Sequence, residues 1–199
     1  MKVNWQGLMN GLKRLILALV FIWSALSGAA SAGGSVSILC YHDVGEPLSP
    51  WTVSEKNLES HFKYLQDNGY TVIRIEDYIA FAKGERQAPD KAVLLTFDDA
   101  YISFYEKVYP LLKQYQYPAV VAVVVGWVDS LPPGDVGKLV NWKQLKEMQD
   151  SGLVEVASHS YNMHRRGIVN PQGDGAIVGE VRLFDGKRYE SEAAYRARL

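Results

Sequence analysis

A single cysteine, Cys40, stands in the 199 residues. That excludes a disulfide within the chain and a structural zinc site built from several thiolates. Charge of one sign is lacking too: 21 Lys and Arg face 22 Asp and Glu, for a net −1. No global basic field exists to attract nucleic acid, and nucleic acid is not an expected partner. A Gly-rich phosphate loop of the P-loop type is missing, which disfavours phosphoryl transfer. Histidine is scarce, with only His42, His61, His159 and His164. Any metal must therefore be held by these and by carboxylates. What is there is an ordinary globular balance, 48% hydrophobic and 22% charged, over about one domain's length.

The one long hydrophobic run lies at the start. Lys2, Lys13 and Arg14 precede an apolar stretch from Leu15 to Leu26, and Ser27-Gly28-Ala29-Ala30-Ser31-Ala32 follows. A basic region, a short apolar core and a terminal Ala-x-Ala make residues 1–32 a secretory signal peptide, with cleavage expected after Ala32. The run is short for a spanning helix, which needs about 20 apolar residues. Removing these three cations takes the net charge from −1 to −4. The remainder, 33–199, is expected in the periplasm or cell envelope. Cys40 does not directly follow the small residues, so it is no lipidation site. Within the apolar stretch Val36–Tyr41 it reads as a small buried hydrophobe.

Beyond residue 32 the pattern alternates strand and helix. Strands are expected at Ser35–Tyr41, Thr71–Ile75, Ala92–Thr96, Ala119–Val125 and Val154–Ser158. Ser54 should cap a helix carrying Leu58, Phe62 and Leu65 at helical spacing, with Gly69 past its end. A short helix follows at Glu76–Lys83. Tyr101–Tyr115 reads as helical, with a kink or break at Pro110. Leu131–Lys138 is a Pro/Gly loop. Asn141 and Gln144 form a capping box ahead of a helix through Asp150. Residues 170–188 read as loop, and Glu190–Leu199 as the start of a helix. Strands alternating with helices imply parallel βαβ units. A closed (β/α) barrel has eight strands, and five are readable, so either the sheet is open or the chain is the first part of a longer domain.

In such folds functional residues collect at the carboxyl ends of the strands. Asp98 and Asp99 end the third strand, where the plain alternative is a helix N-cap. His159 and His164 follow the fifth. Five residues apart, they would point about 140° apart on a helix, so only a bent loop can converge them. One Asp and two His with open positions make a hydrolytic metal site, leaving the second carboxylate free as a base. His42 and Asp43 end the first strand on the same rim and, with Tyr161, are candidates for lining the site. His61 reads as a surface helix residue. Trp127, Trp142 and Tyr161 suit sugar stacking or plain packing.

The string Thr96-Phe97-Asp98-Asp99 and the cluster Ser158-His159-Ser160…His164 resemble the polysaccharide deacetylases of carbohydrate esterase family four. Cys40-Tyr41-His42-Asp43-Val44 looks like that family's first strand. The His spacing, with Arg166-Gly167 and Asn170-Pro171-Gln172-Gly173, is similar to the branch acting on poly-β-1,6-N-acetyl-D-glucosamine. The resemblance spans about residues 36–199. It implies an α/β fold, the N-terminal part of a distorted (β/α) barrel. It implies Asp98 as catalytic base and Asp99, His159 and His164 as ligands of a divalent metal. Zinc is expected first, with nickel, cobalt or iron as alternatives. The implied substrate is the N-acetyl group of an exported N-acetylglucosamine polymer, and the implied partner is polysaccharide export machinery. Ala100 stands where the family has glycine. The family's later motifs, including its acid histidine, have no match, so weak turnover is expected. The alternatives are a sugar-binding remnant, or a deacetylase of peptidoglycan, chitin or xylan.

Overall fold

A computed structural model describes residues 34–130 and 137–199. The signal-peptide reading, and most of the Leu131–Lys138 loop, lie outside the described residues. No helix among the described residues is long and apolar enough to cross a membrane.

The central strand is β5, Ala92–Asp98, its first four residues all buried. Its alternate residues serve two cores. Val93, Leu95 and Phe97 join a large cluster with Leu58, Phe62 and Leu65 of helix α1, Glu55–Asp67. Ala92 and Leu94 join a smaller one with Ile73 and Val120. Burial on both faces is what a near-continuous apolar strand in a parallel sheet should show.

Along one edge of β5 runs β1, Val36–Tyr41, parallel from Val36↔Ala92 to Tyr41↔Phe97. The other edge is shared. Thr71–Val72, β4, pairs at its start, and Ala119–Val124, β6, pairs at its end, with Asp98 opposite Ala122. Beyond β6 lies β7, Val154–Ser160. All four pairings are parallel, so every strand presents its carboxyl end to one rim. Two short strands, Asp43–Val44 (β2) and Thr52–Val53 (β3), pair beside that rim.

The local signals act as expected. Ser54 accepts from the Asn57 amide, and Asn141 and Gln144 bond reciprocally at the head of the helix Trp142–Asp150. Elsewhere the structure departs from the sequence reading. The Thr71–Ile75 strand stops at Val72, because Ile75 already begins the helix α2, Ile75–Ala82. The break expected at Pro110 falls before it. Residues Phe104–Val108 form a π-helical turn in which the Tyr109 amide reaches back five residues to the Phe104 carbonyl. The helix α3, Tyr109–Tyr115, then carries Pro110 in its first turn. Proline there has no amide to offer, and its ring would crowd the carbonyl four residues back; a wider turn removes the clash.

Past β6 a one-turn helix, α4, Val125–Asp129, replaces the end of the expected strand. The stretch read as loop contains the second strand of an antiparallel hairpin, Arg166–Ile168 (β8) against Gly175–Ile177 (β9). Asn170 Oδ1 accepts from the Gln172 and Asp174 amides and closes its turn.

Cys40 is exposed, not buried. It shares a face of the sheet with Ile38, itself 49% exposed. Val36, on the same face, packs against the smaller cluster, while Ile38 and Cys40 toward the rim stay open; an apolar sequence pattern does not reveal where a face is covered.

A candidate metal centre at the strand ends

The rim at the carboxyl ends gathers both acids and three of the four histidines. An extended chain would send Asp98 and Asp99 to opposite faces. The backbone prevents that by turning left-handed at two successive residues, Asp99 at φ 70° and Ala100 at φ 59°. Neither is glycine, so the turn is strained. Ala100 is buried, and its carbonyl accepts from the Val140 amide 3.0 Å away. That contact holds the turn from the far side.

The histidines are placed by a second irregularity. Val123 pairs with Ser158, but Val124 pairs with Ser160. His159 is therefore the extra residue of a β-bulge, which re-aims its side chain. Its Nε2 comes 3.1 Å from His164 Nδ1. The loop between them is pinned by the Gly126 amide, which donates to the Tyr161 carbonyl at 2.6 Å. A methyl group on Gly126 would sit 2.7 Å from that carbonyl oxygen, so only glycine allows the approach. Trp127 packs its ring edge-on against His164, the centroids 5.5 Å apart.

Asp99, His159 and His164 offer ligand atoms that all lie within 4.8 Å of one another. Asp99 Oδ1 is 3.9 Å from His159 Nε2 and 3.6 Å from His164 Nε2. Atoms sharing one tetrahedral ion at about 2.1 Å stand about 3.4 Å apart, so the spacing fits. Asp99 is almost fully buried, and its Oδ1 has no hydrogen-bond partner among the described residues. Burial pushes its carboxyl above the usual aspartate range. The histidines His164, His159 and His42 pull it back, and the Asp98 charge adds to the rise. A buried carboxylate oxygen without a donor is unstable unless a cation meets it. The donor set, one oxygen and two imidazoles with open positions, suits a divalent transition ion.

Asp98 stands beside the triad and outside it. Its Oδ2 accepts from Cys40 Sγ at 3.4 Å and lies 4.0 Å from His42 Nε2. Partial desolvation among its neighbours is the main cause that pushes the Cys40 thiol up, so it stays protonated and acts as a donor, not a ligand.

The remaining candidates separate. Asp43 Oδ1 accepts from Ser103 Oγ at 2.6 Å and from the Val44 amide at 2.9 Å, tying β2 to the helix start. Tyr161 has its ring in solvent and contributes its backbone carbonyl. His61 bonds Tyr41 Oη through Nδ1 at 3.2 Å, away from the acids. Trp142 donates to Asp129. Sequence reasoning missed Gly126 and the bracing role of Trp127. The available signal was a Gly-Trp pair directly after a Val-rich strand, at the functional end of the sheet.

A family model described as polysaccharide deacetylase matches residues 85–176. The chain is 38% identical over 159 residues to the poly-β-1,6-N-acetyl-D-glucosamine N-deacetylase of Escherichia coli K12, covering 74% of this chain and 24% of that protein. The protein of the same name from Staphylococcus aureus MRSA252 is 27% identical over 128 residues, covering 64% and 43%. Among solved structures, a de-N-acetylase from Aggregatibacter actinomycetemcomitans matches with a TM-score of 0.75 and 37% identity, covering 82% of this chain and 69% of that one. A deacetylase domain from Bordetella bronchiseptica matches with a TM-score of 0.67 and 36% identity. The chain spans about a quarter of the length of the E. coli relative.

Proposed function

The chain belongs to the polysaccharide deacetylase family, and on that premise we propose that it hydrolyses N-acetyl groups of a β-1,6-linked N-acetylglucosamine polymer. The observation that carries this is the buried Asp99 Oδ1, without a donor, facing two imidazoles beside a second carboxylate. The substrate class rests on the relatives' activity.

Asp99, His159 and His164 would hold a divalent ion, which when bound would supply Lewis acidity for water and for the acyl oxygen. Asp98, the adjoining carboxylate left outside the triad, takes the proton of the attacking water. His42, 4.0 Å from Asp98 Oδ2, is the rim histidine outside the triad, and it returns a proton to the departing amine. Asp98 and His42 thus divide base and acid work. Trp127 and the Gly126–Tyr161 contact keep His164 in place.

Residues 1–32 support delivery to the periplasm or cell envelope, with polysaccharide export machinery as the partner class and biofilm polymer as the cargo. The test is acetate release from a β-1,6-linked N-acetylglucosamine pentamer, with and without added zinc, nickel, cobalt or iron. Metal-dependent release that disappears in Asp98→Asn supports the reading. Release equal in wild type and Asp98→Asn would overturn it.

A further inference from the structure

We propose that Trp51 and His42 form a saccharide-binding subsite beside Asp98, with the Trp51 indole stacked on the apolar face of a hexosamine ring in the polymer. The proposal rests on the reading of the chain as a polymer deacetylase and says where the chain grips its substrate.

Trp51 is 67% exposed, more than any other tryptophan described. It presents a large aromatic face to solvent directly beside His42. Its surroundings are not those of a loose loop. The Trp51 amide donates to Ser49 Oγ, and its carbonyl accepts from the Asp43 amide at 3.2 Å. The next two residues, Thr52 and Val53, pair with Asp43 and Val44, and Asp43 is itself locked to Ser103. The backbone carrying Trp51 is thus tied to the buried start of the helical run after β5. The ring is presented, with little ordering left to lose on binding.

The ring also has a direction. Its centroid lies 5.4 Å from that of His42, whose Nε2 is 4.0 Å from Asp98 Oδ2. Cys40, which donates to the same Asp98 oxygen, lines an open cavity of about 280 Å³ with His42, Trp51 and Val53. One sugar ring in this cavity has the indole against its apolar face. Its hydroxyls reach the His42 imidazole and the hydroxyl of Thr52, and Asp98 stands at its edge. Aromatic faces with a polar neighbour suit a ligand that is apolar on one side and wet on the other.

The experiment measures binding and turnover separately. Affinity for a β-1,6-linked N-acetylglucosamine pentamer is followed by calorimetry and saturation-transfer NMR, on the full chain, in metal-free and metal-loaded forms. Trp51→Ala is expected to weaken pentamer binding about tenfold, the loss of one aromatic anchor. Trp51→Phe should keep it within about threefold, since a smaller face still stacks. Tyr64→Ala, which removes another exposed aromatic, on α1, should bind as wild type. Circular dichroism and thermal melts verify that each variant is folded. Unchanged pentamer affinity in folded Trp51→Ala overturns the proposal, even if turnover falls, because Trp51 would then act only by holding His42. A wild-type chain that binds no pentamer in either form also overturns it. Binding that depends on Trp51 without acetate release sinks the deacetylase reading and leaves the subsite standing. Acetate release with no dependence of binding on Trp51 does the reverse.

Discussion

Asp99 Oδ1 and His164 Nε2 face each other across 3.6 Å, the first buried and without a hydrogen bond among the described residues, the second braced by Trp127. Two irregularities create this meeting: the left-handed turn after β5 and the bulge in β7. The consequences of that geometry can be measured.

Metal uptake should depend on pH. Burial, the largest cause, raises the Asp99 carboxyl above its usual range, so a proton competes with the ion over a wider span than for an ordinary aspartate. The sign in metal-free protein follows from linkage. A raised folded pKa means the native state binds more protons, so this group's stabilisation is present below the unfolded value of 3.8 and is lost as pH rises through the folded one. Metal binding runs the other way and strengthens with pH. Calorimetry in buffers of different ionisation heat should show proton release on metal binding. No proton release between pH 5 and 8, about the range in which free histidine titrates, would contradict the histidine roles.

The two neighbouring acids should separate on mutation. Asp99→Ala is expected to bring bound metal, measured by mass spectrometry after dialysis, down to background. Asp98→Asn should keep the metal and lower kcat by about 10²–10⁴, the usual worth of a positioned base. Full stoichiometry in Asp99→Ala would remove it from the ligand set.

Gly126→Ala should damage the centre from outside it. The new Cβ meets the Tyr161 carbonyl oxygen at 2.7 Å, and a backbone atom cannot swing aside. The loop carrying His164 must shift. We expect metal affinity to fall about 10–100-fold with the fold retained, as for other groups that orient a ligand. Wild-type affinity in the variant would show that this contact does not position His164.

Ala100 offers a test of strain. Its φ of 59° is left-handed, and the residue is buried. Ala100→Gly relieves about 1–2 kcal/mol of backbone strain. It loses about 0.8 kcal/mol of methyl burial and about 0.5–1 kcal/mol to the freer unfolded chain. The net change should stay within about 1 kcal/mol, and urea melts measure it. Ala100→Val adds a β-branched side chain in a forbidden region and should destabilise by about 2 kcal/mol or more.

Much of this fold was legible because its signals are local. Ser54, Asn141 and Gln144 cap helices by bonds spanning three residues, and the apolar string of β5 identifies a strand buried on both faces. The residue types at the rim were legible as well, since strand ends in alternating α/β chains collect function. The misreadings share a different cause. Cys40 looked buried because its string is apolar, yet exposure depends on what covers the sheet face. Asp43 follows His42 on the rim, and its bond to Ser103, sixty positions away, could not be read from the local pattern.

By itself, then, the sequence determined the order of strands and helices, their caps, and a rim holding two acids and three histidines. Those follow from periodicity, propensity and strand direction, which act over a few residues. The tertiary structure alone decided that His159 sits in a bulge, that Asp99 and Ala100 turn left-handed, and that Trp51 stands exposed beside His42. Each depends on the register between strands far apart in the chain, where packing and pairing override local preference.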